Sequence, residues 1–221
     1  SKIIFSKNRL LTTIAYRIKG KTTYAMEGSI FIAGAGVQWL RDKMKFIKKA
    51  SETEKIIKSL QDNKGIYLVP AFTGLGAPYW DANARGVLSG ITRDTGPKEI
   101  IRATIEAVAY QTYDLFEAMK HDGLKPKLVK VDGGMVMNNW FSQFLSDVVN
   151  IKVSRPRVQE TTALGAAFMA GLHIGVYKSL KDISKNWSLD KNFTPKIKSK
   201  ERNNLVKGWS AAMKKTLTKT I

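Results

Sequence analysis

Two runs rich in β-branched and aromatic residues, 10–18 and 22–25, flank Lys19-Gly20-Lys21 and predict a hairpin. Over 29–47 the apolar positions Ile30, Ala33, Val37, Leu40 and Met44 fall three or four apart, the period of a helix with one buried face. A short exposed helix is expected across "ASETEKIIKSLQDNKG", stopping at Gly65, and a buried strand over 66–72, "IYLVPAF". A long helix opens at Gly96-Pro97, where proline suits the first helical position. It carries Ile101, Ile105, Val108, Thr112, Leu115 and Met119 along one stripe and ends at Gly123. Beyond it the pattern gives a strand over 127–131, a helix from "NNWFSQFLSDVVN", and a strand, "IKVSRP", closed by Pro156. The helix "TTALGAAFMAGLHIG" follows, with Ala163, Ala166, Ala167, Ala170 and Gly171 small enough to let it lie tightly on a sheet. A polar loop and a last helix over 205–217, anchored by Trp209 and Met213, complete the chain. Strands alternating with helices from 66 to 175 mean a layered α/β domain.

One stretch resists that periodic reading. Residues 69–95, "VPAFTGLGAPYWDANARGVLSGITRDT", hold Gly74, Gly76, Gly86 and Gly90, two prolines and the run Tyr79-Trp80-Asp81. A loop of that length is functional or disordered, and its aromatic residues argue against disorder.

Composition narrows the classes. The 221 residues allow one large domain or two small ones, and 43% hydrophobic with 25% charged residues is ordinary for a globular protein. No apolar run approaches the ~20 residues that cross a bilayer, and the opening lacks the apolar core and cleavage site of a signal peptide. Its lack of an initiator Met suggests a processed chain or a piece of something longer. Zero cysteines excludes disulfides and cysteine-ligated zinc, and two histidines, His121 and His173, argue against a histidine-rich metal site. A cytoplasmic setting is the expectation.

The net charge of +19 raises nucleic acid or an anionic membrane as partners. Against that, the basic set is 28 Lys and 9 Arg. Base and phosphate readers favour arginine's planar fork, whereas scattered lysines occupy solvated helix faces. No zinc finger, aromatic RNA-binding motif or basic amphipathic stripe accompanies the charge. Nucleic acid is therefore not the expected partner. The bias is strongest over 178–221, with 12 basic and 3 acidic residues.

Two places carry ligand chemistry. In "VKVDGGMVMNNWF" a strand runs into Gly133-Gly134, which bares the backbone, and Asn138-Asn139 begin a helix whose N–H groups favour negative charge. Asn138 either caps that helix or offers its amide to a ligand. In "FIAGAGVQWL", Gly34 and Gln38 lie four apart on one helical face. Helical glycine costs about 1 kcal/mol against alanine, so Gly34 and Gly36 imply close approach by a second helix or by a ligand. No Ser-His-Asp set, catalytic carboxylate pair or metal-ligand spacing emerges.

Taken together these motifs form an ordered set. Gly86-x-Leu88-x-Gly90-Ile91, followed by Glu99-Ile100-x-x-Ala103-Thr104-Ile105-Glu106, resembles the second signature of the FGGY carbohydrate kinases, the family typified by glycerol kinase. "MEGSIFIAGAGVQWLRD", "VPAFTGLGAPYWDANARG", "VDGGMVMNN" and "TTALGAAFMAGLHIGVY" continue the likeness in the family's order, and it weakens only in the lysine-rich tail. The resemblance implies an actin-like or hexokinase-like (ribonuclease H-like) ATPase fold, a mixed sheet flanked by helices, with ATP and glycerol between two domains. Residues 1–177 would be the nucleotide-holding second domain, its first part lying upstream, and 178–221 a basic extension ending in a helix packed on it. The resemblance assigns nucleotide contacts to Gly34, Gln38, Gly134 and Asn138, with ATP or ADP and Mg²⁺ as cofactors. It implies glycerol bound through the absent half and a homo-oligomeric full-length enzyme. The family's phosphate loop and the aspartate acting as general base would lie upstream, so this chain alone is expected to be inactive.

Overall fold

The structure, a computed structural model, describes residues 3–219. β1 (Leu11–Ile18) and β2 (Lys21–Glu27) form an antiparallel hairpin. Its two-residue turn places Lys19 and Gly20 at φ 48° and 76°, the left-handed pair whose twist matches the flanking strands. Leu10 and Met26 then pack on Leu115, Ala118 and Met119, fastening the hairpin to the far end of a long helix.

That helix, α3 (Pro97–His121), organises the molecule. Every residue from Ile101 to Tyr110 is buried, so its first half is surrounded rather than one-faced. Around it lie α1 (Gly34–Asp42), α2 (Glu52–Lys58), β3 (Tyr67–Val69), paired antiparallel with β4 (Val87–Ser89), and α4 (Asn139–Val149). β5 (Leu128–Lys130) runs parallel to β6 (Lys152–Pro156), and β7 (Leu189–Phe193) adds to β6 antiparallel, giving a mixed three-stranded sheet. α5 (Thr161–His173), α6 (Leu180–Ser184) and α7 (Ser199–Thr216) complete the chain.

The core centres on Tyr110. Its ring stacks on Trp209 of α7 at 5.3 Å, meets Phe144 of α4 edge-on at 5.6 Å and leans on Tyr67 of β3 at 5.7 Å. α7 reaches that position because Gly208 lies against Tyr67: a Cβ there would stand 2.3 Å from the phenol oxygen. Below Tyr110 the fully buried Glu106 is held by Arg102 Nε at 2.6 Å, the Tyr110 hydroxyl at 3.0 Å and Asn63 Nδ2 at 3.3 Å. Burial raises its pKa against the pull of these donors.

Several elements depart from the periodic pattern. The helix expected over 29–47 is confined to Gly34–Asp42. Ile30 is drawn into the hairpin cluster ahead of it, and Lys45 turns left-handed, at φ 58°, after it. β4 lies unannounced inside the 69–95 loop; three residues are too few to show alternation. The polar loop beyond residue 178 contains β7, whose only buried side chain is Phe193, and α7 begins at Ser199, its first turns being solvated. α5 does not lie tightly on a sheet: only Gly171 is buried. Its one tight approach is Gly171 against the ring of Tyr177, where a Cβ would sit at 2.8 Å. The small residues of its other turns stay exposed or half-buried.

The 69–95 loop proves to be an internal strut. Asp81 accepts from the amides of Asn83 and Ala84, both at 3.1 Å, and from the amide and hydroxyl of Thr218 at 2.7 and 2.8 Å. The Tyr79 hydroxyl donates to Asp114 at 2.9 Å and the Trp80 indole N–H to the Arg9 carbonyl at 2.7 Å. Its polar groups thus join the hairpin, α3 and the end of α7.

Candidate nucleotide site

β5 delivers the chain to Asp132, whose carboxylate accepts the Thr161 hydroxyl and so ties the strand's end to the start of α5. Gly133 adopts φ 82°, which an L side chain rarely tolerates, and its amide donates to the Gln159 carbonyl at 3.3 Å. Gly134–Met137 form a single 3-10 turn, and Asn138 caps α4: its Oδ1 accepts from the Phe141 amide at 2.9 Å. The two readings of Asn138 are therefore not exclusive. Its oxygen is committed to the cap, while its Nδ2 points across to Thr53 Oγ1 of α2 at 3.2 Å.

α2 also reaches the next residue. Glu54 Oε2 accepts the Asn139 amide at 3.1 Å, and its other oxygen pairs with Lys58 at 2.5 Å. Partial burial opposes the Glu54 charge, but the Lys58 and Asn139 bonds win and hold its pKa below the ordinary range. On the opposite side Arg155 of β6, a buried guanidinium, donates to the carbonyl of Val136 at 2.7 Å, to Asn139 Oδ1 at 3.2 Å and to Asp190 at 2.6 Å. The turn and the first residues of α4 are clamped from both sides.

Between these elements lies a cavity of about 280 Å³, lined among others by Val37, Thr53, Glu54, Ile105, Gly134 and Asn138. It brings two of the four sequence candidates, Gly134 and Asn138, into one wall. Gln38 is exposed on α1 beside Val37, and Gly34 is exposed at that helix's start, so neither lines the cavity itself. The helical glycines divide by role. A Cβ on Gly36 would meet Thr104 Cγ2 at 3.0 Å, so Gly36 serves the packing of α1 on α3. At Gly34 and Gly134 a Cβ would meet nothing within 4 Å. Internal packing therefore does not require glycine at either position.

Sequence reasoning missed Thr53, Glu54 and Arg155. Thr53 and Glu54 meet Asn138 and Asn139 across 85 residues of chain, a separation no local spacing reveals. Arg155 did leave a signal, a charge inside a strand otherwise reading as buried.

Residues 6–174 match the C-terminal domain of the FGGY family of carbohydrate kinases. The chain belongs to that family. It is 55% identical over 212 residues to glycerol kinase 1 of Pseudomonas aeruginosa, covering 96% of this chain and 43% of that protein. Glycerol kinase of Coxiella burnetii is 52% identical over 217 residues, with 98% and 43% covered. Among solved structures, Plasmodium falciparum glycerol kinase with ADP superposes with a TM-score of 0.88 at 37% identity, over 99% of this chain and 44% of that one. A xylulose kinase from Lactobacillus acidophilus, with TM-score 0.77 and 22% identity over 93% and 41%, shares the fold. The chain thus spans about 43% of the length of the curated relatives it matches, and corresponds to the C-terminal part of an FGGY kinase of actin-like ATPase fold. Among the described residues, no helix is long and apolar enough to cross a membrane.

Proposed function

We propose that this chain is the ATP- and ADP-binding half of a glycerol kinase, an enzyme that moves the γ-phosphoryl group of ATP to glycerol and yields sn-glycerol 3-phosphate. The carrying observation is the pair of exposed glycines, Gly34 at the start of α1 and Gly134 in the wall of the cavity that Asn138 also lines, at neither of which a Cβ would meet anything within 4 Å. With packing removed as the reason for glycine, close approach of a ligand remains. The relative from Plasmodium falciparum, described with ADP, names the ligand class.

At about 280 Å³ the cavity is smaller than sites that enclose a whole ligand, so it takes one end of the nucleotide. The Glu54 carboxylate at its wall disfavours phosphate, which puts the adenosine end there beside Gly134 and Asn138. The phosphates then run along α1, past Gln38 and Gly34. Among the described residues no three His, Cys, Asp or Glu side chains converge to hold a metal ion. Mg²⁺ would accordingly be carried by the phosphates and by groups outside this chain. The general base and the glycerol contacts belong to the same absent half, and the full-length enzyme is expected to be a cytoplasmic homo-oligomer. The chain by itself is expected to bind nucleotide without turning it over.

Calorimetric titration of ADP into the purified chain tests this. Saturable binding, weakened at least tenfold by Gly134→Val and by Gln38→Ala, is the expected result. A folded chain that takes up no ADP at millimolar concentration, or variants that bind as the parent does, would refute the assignment.

A further inference from the structure

The cavity that takes the adenosine end has one charged side chain in its wall. Glu54 lines it beside Thr53 and Asn138, and most of the remaining surface is apolar, with Val37, Ile105 and the thioether of Met135. The Glu54 side chain is half-buried. Partial burial opposes its ionisation, but Lys58 Nζ at 2.5 Å and the Asn139 amide at 3.1 Å keep the carboxyl below its ordinary range. Lys58 stands exposed and is not part of the cavity lining. The charge that faces the cavity is therefore negative.

The hydrogen-bonding capacity left at this wall is uneven. An ionised carboxylate accepts and never donates, and each oxygen can accept twice. Oε1 has accepted once from Lys58 and Oε2 once from Asn139, which leaves capacity on both. Thr53 donates its hydroxyl to the Ala50 carbonyl at 2.8 Å and accepts Asn138 Nδ2 at 3.2 Å. Asn138 has committed its oxygen to the Phe141 amide and keeps a single Nδ2 hydrogen beyond the bond to Thr53. Ser51, exposed at the margin, can donate or accept and so distinguishes nothing. The wall thus offers one charged acceptor and one neutral donor. A charge-assisted bond is roughly twice as strong as a neutral one, so the carboxylate decides which edge of a base is admitted.

Purines differ at the matching group. Adenine carries an amino donor at position 6, where a 6-oxopurine carries a carbonyl oxygen. We infer that Glu54 selects the base: its carboxylate accepts the 6-amino group of adenine and rejects a 6-oxopurine, whose carbonyl would face the same negative charge. The inference rests on the placing of adenosine in this cavity, and it adds the residue that sets the choice of nucleotide. Glu54 has a structural part as well, since it joins α2 to the first residues of α4.

Calorimetric titration of the full chain with ADP, inosine diphosphate and purine riboside diphosphate, which has no substituent at position 6, separates the two roles. ADP is expected to bind at least tenfold more tightly than inosine diphosphate, because a buried acceptor left facing an acceptor is costly. The unsubstituted nucleotide should fall between them, losing the bond without meeting the repulsion. In Glu54→Gln the side chain keeps an oxygen for the Asn139 amide and gains N–H donors. ADP should weaken there, inosine diphosphate should strengthen, and the preference should shrink to about threefold or less. A purely structural Glu54 would weaken all three nucleotides alike. Equal affinities in the parent, or a preference that survives Glu54→Gln, would overturn the inference and leave the nucleotide site standing. A folded chain that takes up none of the three would refute the site and the inference together.

Discussion

Replacing Asp114 by Asn tests the account of how α3, the 69–95 loop and α7 are joined. Asp114 Oδ2 accepts both the Tyr79 hydroxyl at 2.9 Å and the Trp209 indole N–H at 2.8 Å. Burial dominates over these two donors, with a smaller push from Glu117, and the carboxyl is raised to about 7 from an ordinary 3.8. The folded chain therefore binds this proton more tightly than the unfolded chain does, and stability falls as pH rises between those two values. At 1.36 kcal/mol per pH unit, the full penalty above pH 7 is about 4 kcal/mol. Integrating the same two titrations from pH 5 to pH 8 leaves about 3 kcal/mol lost in that window. Asn offers the same acceptor oxygen without the charge. Urea unfolding of parent and Asp114→Asn at pH 5, 6, 7 and 8 should show the variant gaining on the parent by roughly 2–3 kcal/mol across the range. The difference cancels other titrating groups, including Glu106, which shifts in the same direction. A difference that stays flat with pH would refute the reasoning, because the buried charge would then not be what sets the cost.

Gly208→Ala places a Cβ against the Tyr67 phenol and should destabilise by about 1–3 kcal/mol, the usual cost of overpacking. A lowered Tm with an unchanged far-ultraviolet spectrum checks it, and an unchanged Tm counts against the contact. Asn138→Ala removes the α4 cap and the bond to Thr53, a loss of about 1 kcal/mol. Asn138→Asp keeps the capping oxygen and should recover most of that stability in the same denaturation series.

What the sequence disclosed follows from how local each signal is. α3 was legible almost to the residue because Pro97 starts it, an apolar stripe runs its length and Gly123 follows it, all within one segment. The strand–Gly-Gly–Asn unit was equally plain, since the turn, the cap and the helix are contiguous. β7 was invisible: its three central residues, Asp190-Lys191-Asn192, are polar and exposed, as on an edge strand, and its place is set by pairing with β6. The same limit hid Thr53 and Glu54, whose role exists only once α2 meets α4. Gly34 and Gly36 looked equivalent in sequence, and only the position of Thr104 separates the packing glycine from the free one.

The position of Trp209 also governs the order in which this protein can fold as it is made. The ring that closes the centre of the core emerges 95 residues after Asp114, its partner on α3. At ordinary elongation rates of about 5–20 residues per second, that interval lasts roughly 5–20 s. From the emergence of α4 onward, α3, β3 and α4 expose the apolar groove that α7 will fill. Nascent chains halted before residue 209 should therefore engage chaperones through that groove, and release should coincide with the arrival of the last helix.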